Sequence, residues 1–339
     1  MLRPEVDVRV LGPSGRSRIR RYLGLLPWLA REQSWVLGHD IVHAHLTFGS
    51  AVASAVQLLC KLHRSRQPKI VETYHAVGTP VPLVQRAIAA RLAQGRDAFV
   101  LVAKDPYWED FRRRAHPVVM LIPNGIPLPE RPGDHHDAAV LRTALGVPAG
   151  CSYVVGTVGR LVKERLPLRL VAAIAEADRL LEGEAHYILG GEGPMLADIR
   201  AECERLGIAD RVHLPGIVRH PPEVFSGLDL YLTLNVGAIT GIAALEAAGF
   251  GLPVVAIQAI DGRRAELDDW IWSSSDPREV GAEIAARVRD RAGTAALARR
   301  QQQHVFAHHR ADQMASAYER LYSDLLGGSV GQAGRRRPA

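Results

Sequence analysis

The chain has few lysines. Lys61, Lys69, Lys104 and Lys163 are the four among 339 residues, and arginine supplies the rest of the positive charge. Cysteine is scarce too: Cys60, Cys151 and Cys203 form no C-x-x-C pair, and no histidine lies at metal-ligand spacing from any of them. They read as reduced small hydrophobes, so no disulfide scaffold or zinc finger is expected. No apolar run reaches the roughly 20 residues needed to span a bilayer. Met1-Leu-Arg-Pro-Glu lacks the apolar stretch of a secretory leader. The expectation is a cytoplasmic protein. No recognition motif and no ladder of basic and aromatic residues argues for a nucleic-acid partner.

Apolar residues make up 47% of the chain, an ordinary share for a globular protein. The formal charge of +6 and pI of about 9.5 suit anionic ligands such as nucleotide diphosphates or lipid phosphates. Short β-rich runs alternate with helical patterns. Strands are expected at Val6–Leu11, Asp40–Ala44, Lys69–Tyr74, Ala98–Ala103 and Val118–Ile122, then at Tyr153–Val158, Ala185–Leu189, Val212–Leu214, Asp229–Leu234 and Pro253–Ile257. Several are unbroken apolar runs, as in strands buried on both faces of a parallel sheet. Leu166, Leu170, Ile174, Ala177 and Leu181 keep helical spacing, as do Met195, Ile199, Cys203 and Leu206.

These strands are too many for one doubly wound sheet, and residues 127–136 are proline-rich, polar and aperiodic. An α/β protein of two Rossmann-like, doubly wound domains facing a cleft is expected. Residues 1–130 would form the first domain and 140–307 the second. A helix over 308–326 and a disordered tail over 327–339 would follow.

Three segments carry charge or glycine in a pattern. In Gly159-Arg160-Leu161-Val162-Lys163-Glu164-Arg165 a glycine closes an apolar strand and three cations follow. Arginine's planar fork suits phosphate oxygens, although alone the segment fits a solvated charge cluster. In Gly190-Gly191-Glu192-Gly193-Pro194 a strand runs into glycines that allow close backbone approach to a ligand, with Pro194 placed to start a helix. Taken by itself, the segment is better read as a tight β–α turn. From Thr240-Gly241 a helix rises through Ala243, Ala244, Leu245, Glu246, Ala247 and Ala248. Free N–H groups at its start form an anion site, and Glu246, about one and a half turns in, is placed to reach a ribose hydroxyl.

In their order and spacing the three resemble the C-terminal domain of the retaining GT-B glycosyltransferases of family four. Gly159-Arg160-Leu161 matches that family's first motif, and Gly191-Glu192-Gly193-Pro194 its second. Residues 211–218 match the short strand ending in glycine, and Leu245-Glu246-Ala247 with Gly251, Pro253, Val254 and Val255 match the last. Asp261-Gly262 with Glu266, then Ser275-Asp276-Pro277, resembles the family's next loop. Upstream, Asp40-Ile-Val-His43-Ala-His45, Thr73-Tyr74-His75 and Ile122-Pro123-Asn124-Gly125-Ile126 resemble its N-terminal signatures. The helix around Tyr318 and Tyr322 resembles the segment that crosses back onto the N-terminal domain.

The resemblance implies transfer of a sugar, with retention, from a nucleotide-diphosphate donor to an acceptor that is a small molecule, lipid or glycan. Catalytic residues would be His75, Arg160 and Arg165. Donor-binding residues would be Gly159, Gly191, Glu192, Gly193, Val218, Thr240, Gly241 and Glu246, with the base near Ile217 and Val218. Neither cofactor nor obligatory metal is implied. Two departures stand out. Ala238 occupies the position, eight before Glu246, of the family's first glutamate, and the first strand and glycine loop of the family have no counterpart before Val6–Leu11. The basic segment from Arg16, followed by Tyr22, Leu23, Leu25, Leu26 and Trp28, fits either peripheral membrane contact or an ordinary amphipathic surface helix.

Overall fold

A computed structural model describes residues 7, 9, 24–63, 67–75, 91, 95–104, 118–127, 138–218, 221–235, 240–258 and 270–327; side chains at 164, 221–223 and 235 are excepted. Ala238, Asp261, Gly262, Glu266, most of Val6–Leu11, the basic segment 16–21 and most of the proline-rich stretch lie outside these residues. The chain divides into two compact units: residues 1–75, 81–121 and 318–339, and residues 76–80 and 122–317.

In the first unit, α1 (Leu25–Leu37) precedes β1 (Ile41–His45), α2 (Leu46–His63), β2 (Lys69–Tyr74), β3 (Ala98–Leu101) and β4 (Val119–Leu121). The strands pair in that order, all parallel. Leu25, Leu29, Val36, Ala53, Val56, Cys60 and Ile70 bury one apolar layer. An ion pair lies in this unit's interior. Arg96 Nε donates to Glu72 Oε2 at 2.7 Å, while its terminal nitrogens reach Gln57, Ser50 and Ser54. Full hydrogen bonding is what makes a guanidinium tolerable where its side chain has no exposure.

The second unit runs α3 (Ala138–Ala144), β5 (Tyr153–Val158), α4 (Pro167–Leu180), β6 (Ala185–Gly190), α5 (Leu196–Arg205), β7 (Val212–His213), α6 (Pro221–Ser226), β8 (Leu230–Asn235), α7 (Ile242–Phe250), β9 (Val254–Gln258), β10 (Trp272–Ser274), α8 (Pro277–Arg289) and α9 (Arg291–His308). The parallel sheet has the order β10-β9-β8-β5-β6-β7. Numbered within the unit this is the order of the doubly wound dinucleotide-binding sheet. Alternate residues of β5 serve opposite cores. Tyr153 and Val155 face the layer built by Leu170, Ile174, Ile199 and Ile284, and Val154 faces the layer of Phe225, Leu245, Ala248 and Val305.

Several sequence expectations need correction here. Pro194 does not begin a helix; it sits with Met195 in a turn, and α5 starts at Leu196. Leu166 does not belong to α4 either, being its N-cap in the left-handed region at φ 46°. Strand β10 was not foreseen. Ser275-Asp276-Pro277 is a helix start, in which the Asp276 carboxylate accepts from the Arg278 N–H at 2.8 Å. The last helix, α10 (Ala311–Gly327), contains the division between the units, which falls after Ala317.

Candidate donor site at the switch point of the second sheet

The strand order of the second unit reverses between β5 and β8, and in open α/β sheets that reversal opens a crevice at the strands' carboxyl ends. The loops leaving β5 and β8 flank it, and they carry Gly159-Arg160 and Thr240-Gly241 respectively.

Three successive loops are stitched together by backbone. The Gly159 N–H donates to the Gly190 carbonyl at 2.9 Å, Leu161 to Glu192 at 2.9 Å, Gly191 to Gly216 at 2.7 Å, and Met195 to Leu161 at 3.1 Å. Gly191 has φ +140°, and a Cβ there would overlap the Gly159 carbonyl oxygen; one on Gly193 would overlap that of Leu161. On Gly190 it would lie 2.7 Å from Val218 Cγ2. Glycine is therefore required at these positions by the neighbouring loop's backbone, whatever else approaches them.

On this base Arg160 and Lys163 are exposed and Arg165 is half-buried, in a short 3-10 turn (Lys163–Arg165). Arg165 lies over Gly159, with Nη1 3.1 Å from where a Cβ would be. Among the described residues none of these three cations has an ion-pair partner. Across the switch point, α7 begins with Gly241 extended at its N-cap, and among the described residues no side chain caps it. The Thr240 hydroxyl beside it is buried and has no hydrogen-bond partner among the described residues. Unfilled N–H groups at a helix start attract anions. Glu246 is half-buried on the same helix, and burial raises its carboxyl above the ordinary carboxylate range.

Tyr231, not singled out in the sequence, ties these parts together. Its buried hydroxyl donates to the Val158 carbonyl at 3.1 Å and accepts from the Val158 N–H at 3.2 Å. It therefore fixes the backbone immediately before Gly159. Burial above all raises its phenol, with Arg165 and Glu246 acting in opposite senses, so both charges lie within electrostatic reach of it. A tyrosine inside the buried strand Leu230-Tyr-Leu-Thr-Leu was the available signal. Glu192 is exposed, Val218 is half-buried, and Ile217 is 63% exposed.

His75 belongs to the first unit and these residues to the second. It follows β2, and its Nε2 lies 3.0 Å from His45 Nδ1. His43 Nδ1 contacts the Tyr322 hydroxyl at 2.6 Å and its Nε2 the Thr73 hydroxyl at 2.8 Å; Thr73 in turn meets the Tyr318 hydroxyl at 2.9 Å. Burial, then the neighbouring His45 and His75, push the His43 ring down to about 4. Among the described residues no cluster of three metal-ligating side chains occurs, and no helix is long and apolar enough to cross a membrane.

Residues 152–290, which contain the whole switch point, match the family model described as glycosyl transferases group 1. The solved structure of Anabaena HepE in complex with UDP and glucose is similar over 89% of this chain and 82% of that one, at TM-score 0.72 and 19% identity. The fold is GT-B. Sucrose-phosphate synthase from Thermosynechococcus elongatus has the same architecture, at TM-score 0.71 and 20% identity over 94% of this chain and 82% of that one. In sequence the chain is 29% identical to 2-deoxystreptamine glucosyltransferase of Streptomyces kanamyceticus, over 42% of this chain and 37% of that protein. It is 31% identical to D-inositol 3-phosphate glycosyltransferase of Mycobacterium marinum, over 61% of this chain and 44% of that protein. The matches thus span under half the length of these two relatives.

Proposed function

We propose that the protein is a glycosyltransferase that moves a sugar from a nucleotide-diphosphate donor to a small-molecule, lipid or glycan acceptor, with retention. Arg160 and Arg165, with the open start of α7, hold the diphosphate. Glu246 takes the ribose hydroxyls, the backbone beside Val218 takes the base, and His75 serves the sugar. Stabilising a leaving diphosphate needs fixed positive charge and N–H dipoles rather than a strong acid, and this reading requires no obligatory metal. Cytoplasmic location, with peripheral membrane contact through the basic segment 16–21, belongs to the same proposal.

The observation that carries the reading is the set of groups at one switch point that find no partner among the described residues: two arginines without ion pairs, an uncapped helix start and the buried hydroxyl of Thr240. UDP is the first nucleotide to try, since the HepE neighbour is in complex with it. Titration with UDP, GDP and ADP, followed by calorimetry, tests the site. A charged hydrogen bond contributes about 1.5–3 kcal/mol, so Arg160→Ala should weaken the nucleotide that binds about 10- to 150-fold. Unchanged affinity would refute the placement of the diphosphate.

Ala238 favours a second reading, a non-catalytic relative that binds a nucleotide or assists a partner transferase. Nucleotide binding without hydrolysis of any nucleotide sugar, together with activity appearing in Ala238→Glu, would decide for it.

A further inference from the structure

At the ends of β1 and β2 two imidazoles meet. His45 Nδ1 and His75 Nε2 are 3.0 Å apart, with ring centroids at 5.3 Å and planes tilted by 31°. The parallel register that sets His45 beside Thr73 brings this about. A neutral imidazole has one N–H and one lone pair. At this distance one ring donates and the other accepts, so a single hydrogen lies between them. Whichever ring owns it, the outer nitrogens, His45 Nε2 and His75 Nδ1, then present one N–H and one lone pair. Among the described residues neither outer nitrogen has a hydrogen-bond partner.

The pair stands on a fixed support. The His43 ring lies 4.2 Å from that of His45, and both His43 nitrogens are engaged, by Tyr322 and by Thr73. His43, from β1, packs on His45, and Tyr318 and Tyr322 of α10 pack in turn on His43. Among those residues no carboxylate or guanidinium acts on either ring. Burial lowers both rings, and His45 further lowers His75.

We propose that His45 is a positioning residue for His75: the hydrogen they share holds the two rings in one arrangement and shapes the uncharged pair to receive a hydroxyl group. A hydroxyl donates to the lone pair and accepts from the N–H, whereas a carboxylate or phosphate needs two donors and finds one. The inference rests on the reading above that His75 serves the sugar.

Nitrogen-15 NMR of the full chain with labelled histidines tests it. His45 and His75 should each show one tautomer. In His45→Gln, which keeps a hydrogen-bonding side chain but cannot titrate, the His75 titration should move to higher pH; His45→Asn serves if that variant does not fold. The acidic limb of kcat/KM for donor hydrolysis should move with it. In the wild-type chain, glucose should perturb the His75 resonances and inorganic phosphate should not. An unmoved His75 titration, or a response to phosphate with none to glucose, overturns the proposal. A moved titration in a protein that hydrolyses no nucleotide sugar supports the pairing while overturning the transferase reading.

Discussion

Replacing Gly191 by alanine attacks the base on which the arginine loop sits. A non-glycine residue in that glycine-only backbone region costs about 1–3 kcal/mol. The new Cβ would also overlap the Gly159 carbonyl, so the two loops must part. The bonds at risk are Gly191 to Gly216 and Gly159 to Gly190, each contributing about 0.5–1.5 kcal/mol. Together these terms predict a loss of roughly 2–6 kcal/mol in the second unit. Gly207 is the control. It has φ +71°, and a Cβ added there would meet nothing within 4 Å, so Gly207→Ala should cost only the left-handed strain of about 1–2 kcal/mol. Urea unfolding by circular dichroism measures both losses, and calorimetry with UDP measures the site. Gly207→Ala should bind as wild type. Gly191→Ala should bind more weakly wherever it is folded, because the seat of Arg160 has shifted. Equal destabilisation by the two variants, or undiminished UDP affinity in Gly191→Ala, would refute the reasoning.

Arg96→Met strands the Glu72 carboxylate in the first unit and should cost roughly 3–5 kcal/mol, read by urea unfolding; part of the loss should return in the double variant with Glu72→Leu. Burial raises the Glu246 carboxyl above its ordinary 4.5, so the folded chain holds that proton more tightly than the unfolded one. Its ionisation therefore lowers stability as pH rises above the ordinary value. Glu246→Gln should melt higher than wild type at neutral pH, and the gain should vanish as pH falls toward the ordinary value. For His43 the sign is reversed: its ring is held down from 6.5 to about 4, so its contribution is complete above 6.5 and is lost as pH falls toward 4. Melting temperature against pH should slope less steeply across that window in His43→Gln.

Much of the fold was legible because apolar runs with both faces buried announce themselves. Tyr153–Val158 and Lys69–Tyr74 have the same ends in sequence and structure. Trp272–Ser274 was not legible, since two of its three residues are serines and its partner β9 alone makes it a strand. Helix α9 hides its buried face behind polar residues. Gln301 is wholly buried, with its amide spanning the Val254 N–H and carbonyl and the Trp270 carbonyl. At the site, charge could be read but contact could not. The cations after β5 were visible as a cluster, whereas the roles of Gly191 and Gly193 depend on which loop lies beside them. The His45–His75 pair likewise follows from the register of two strands 30 residues apart in the chain.

The stitched loops also separate what can be varied from what cannot. Gly190, Gly191 and Gly193 have no room for a side chain against the neighbouring loops, so diversity at these three positions destabilises the second unit. Ile217 follows directly on Gly216, whose carbonyl clasps Gly191, and its own side chain is 63% exposed. Diversity at that position leaves the clasp untouched. Under the proposed reading, an engineer seeking a different donor preference has here a starting position that leaves the loop holding Arg160 in place.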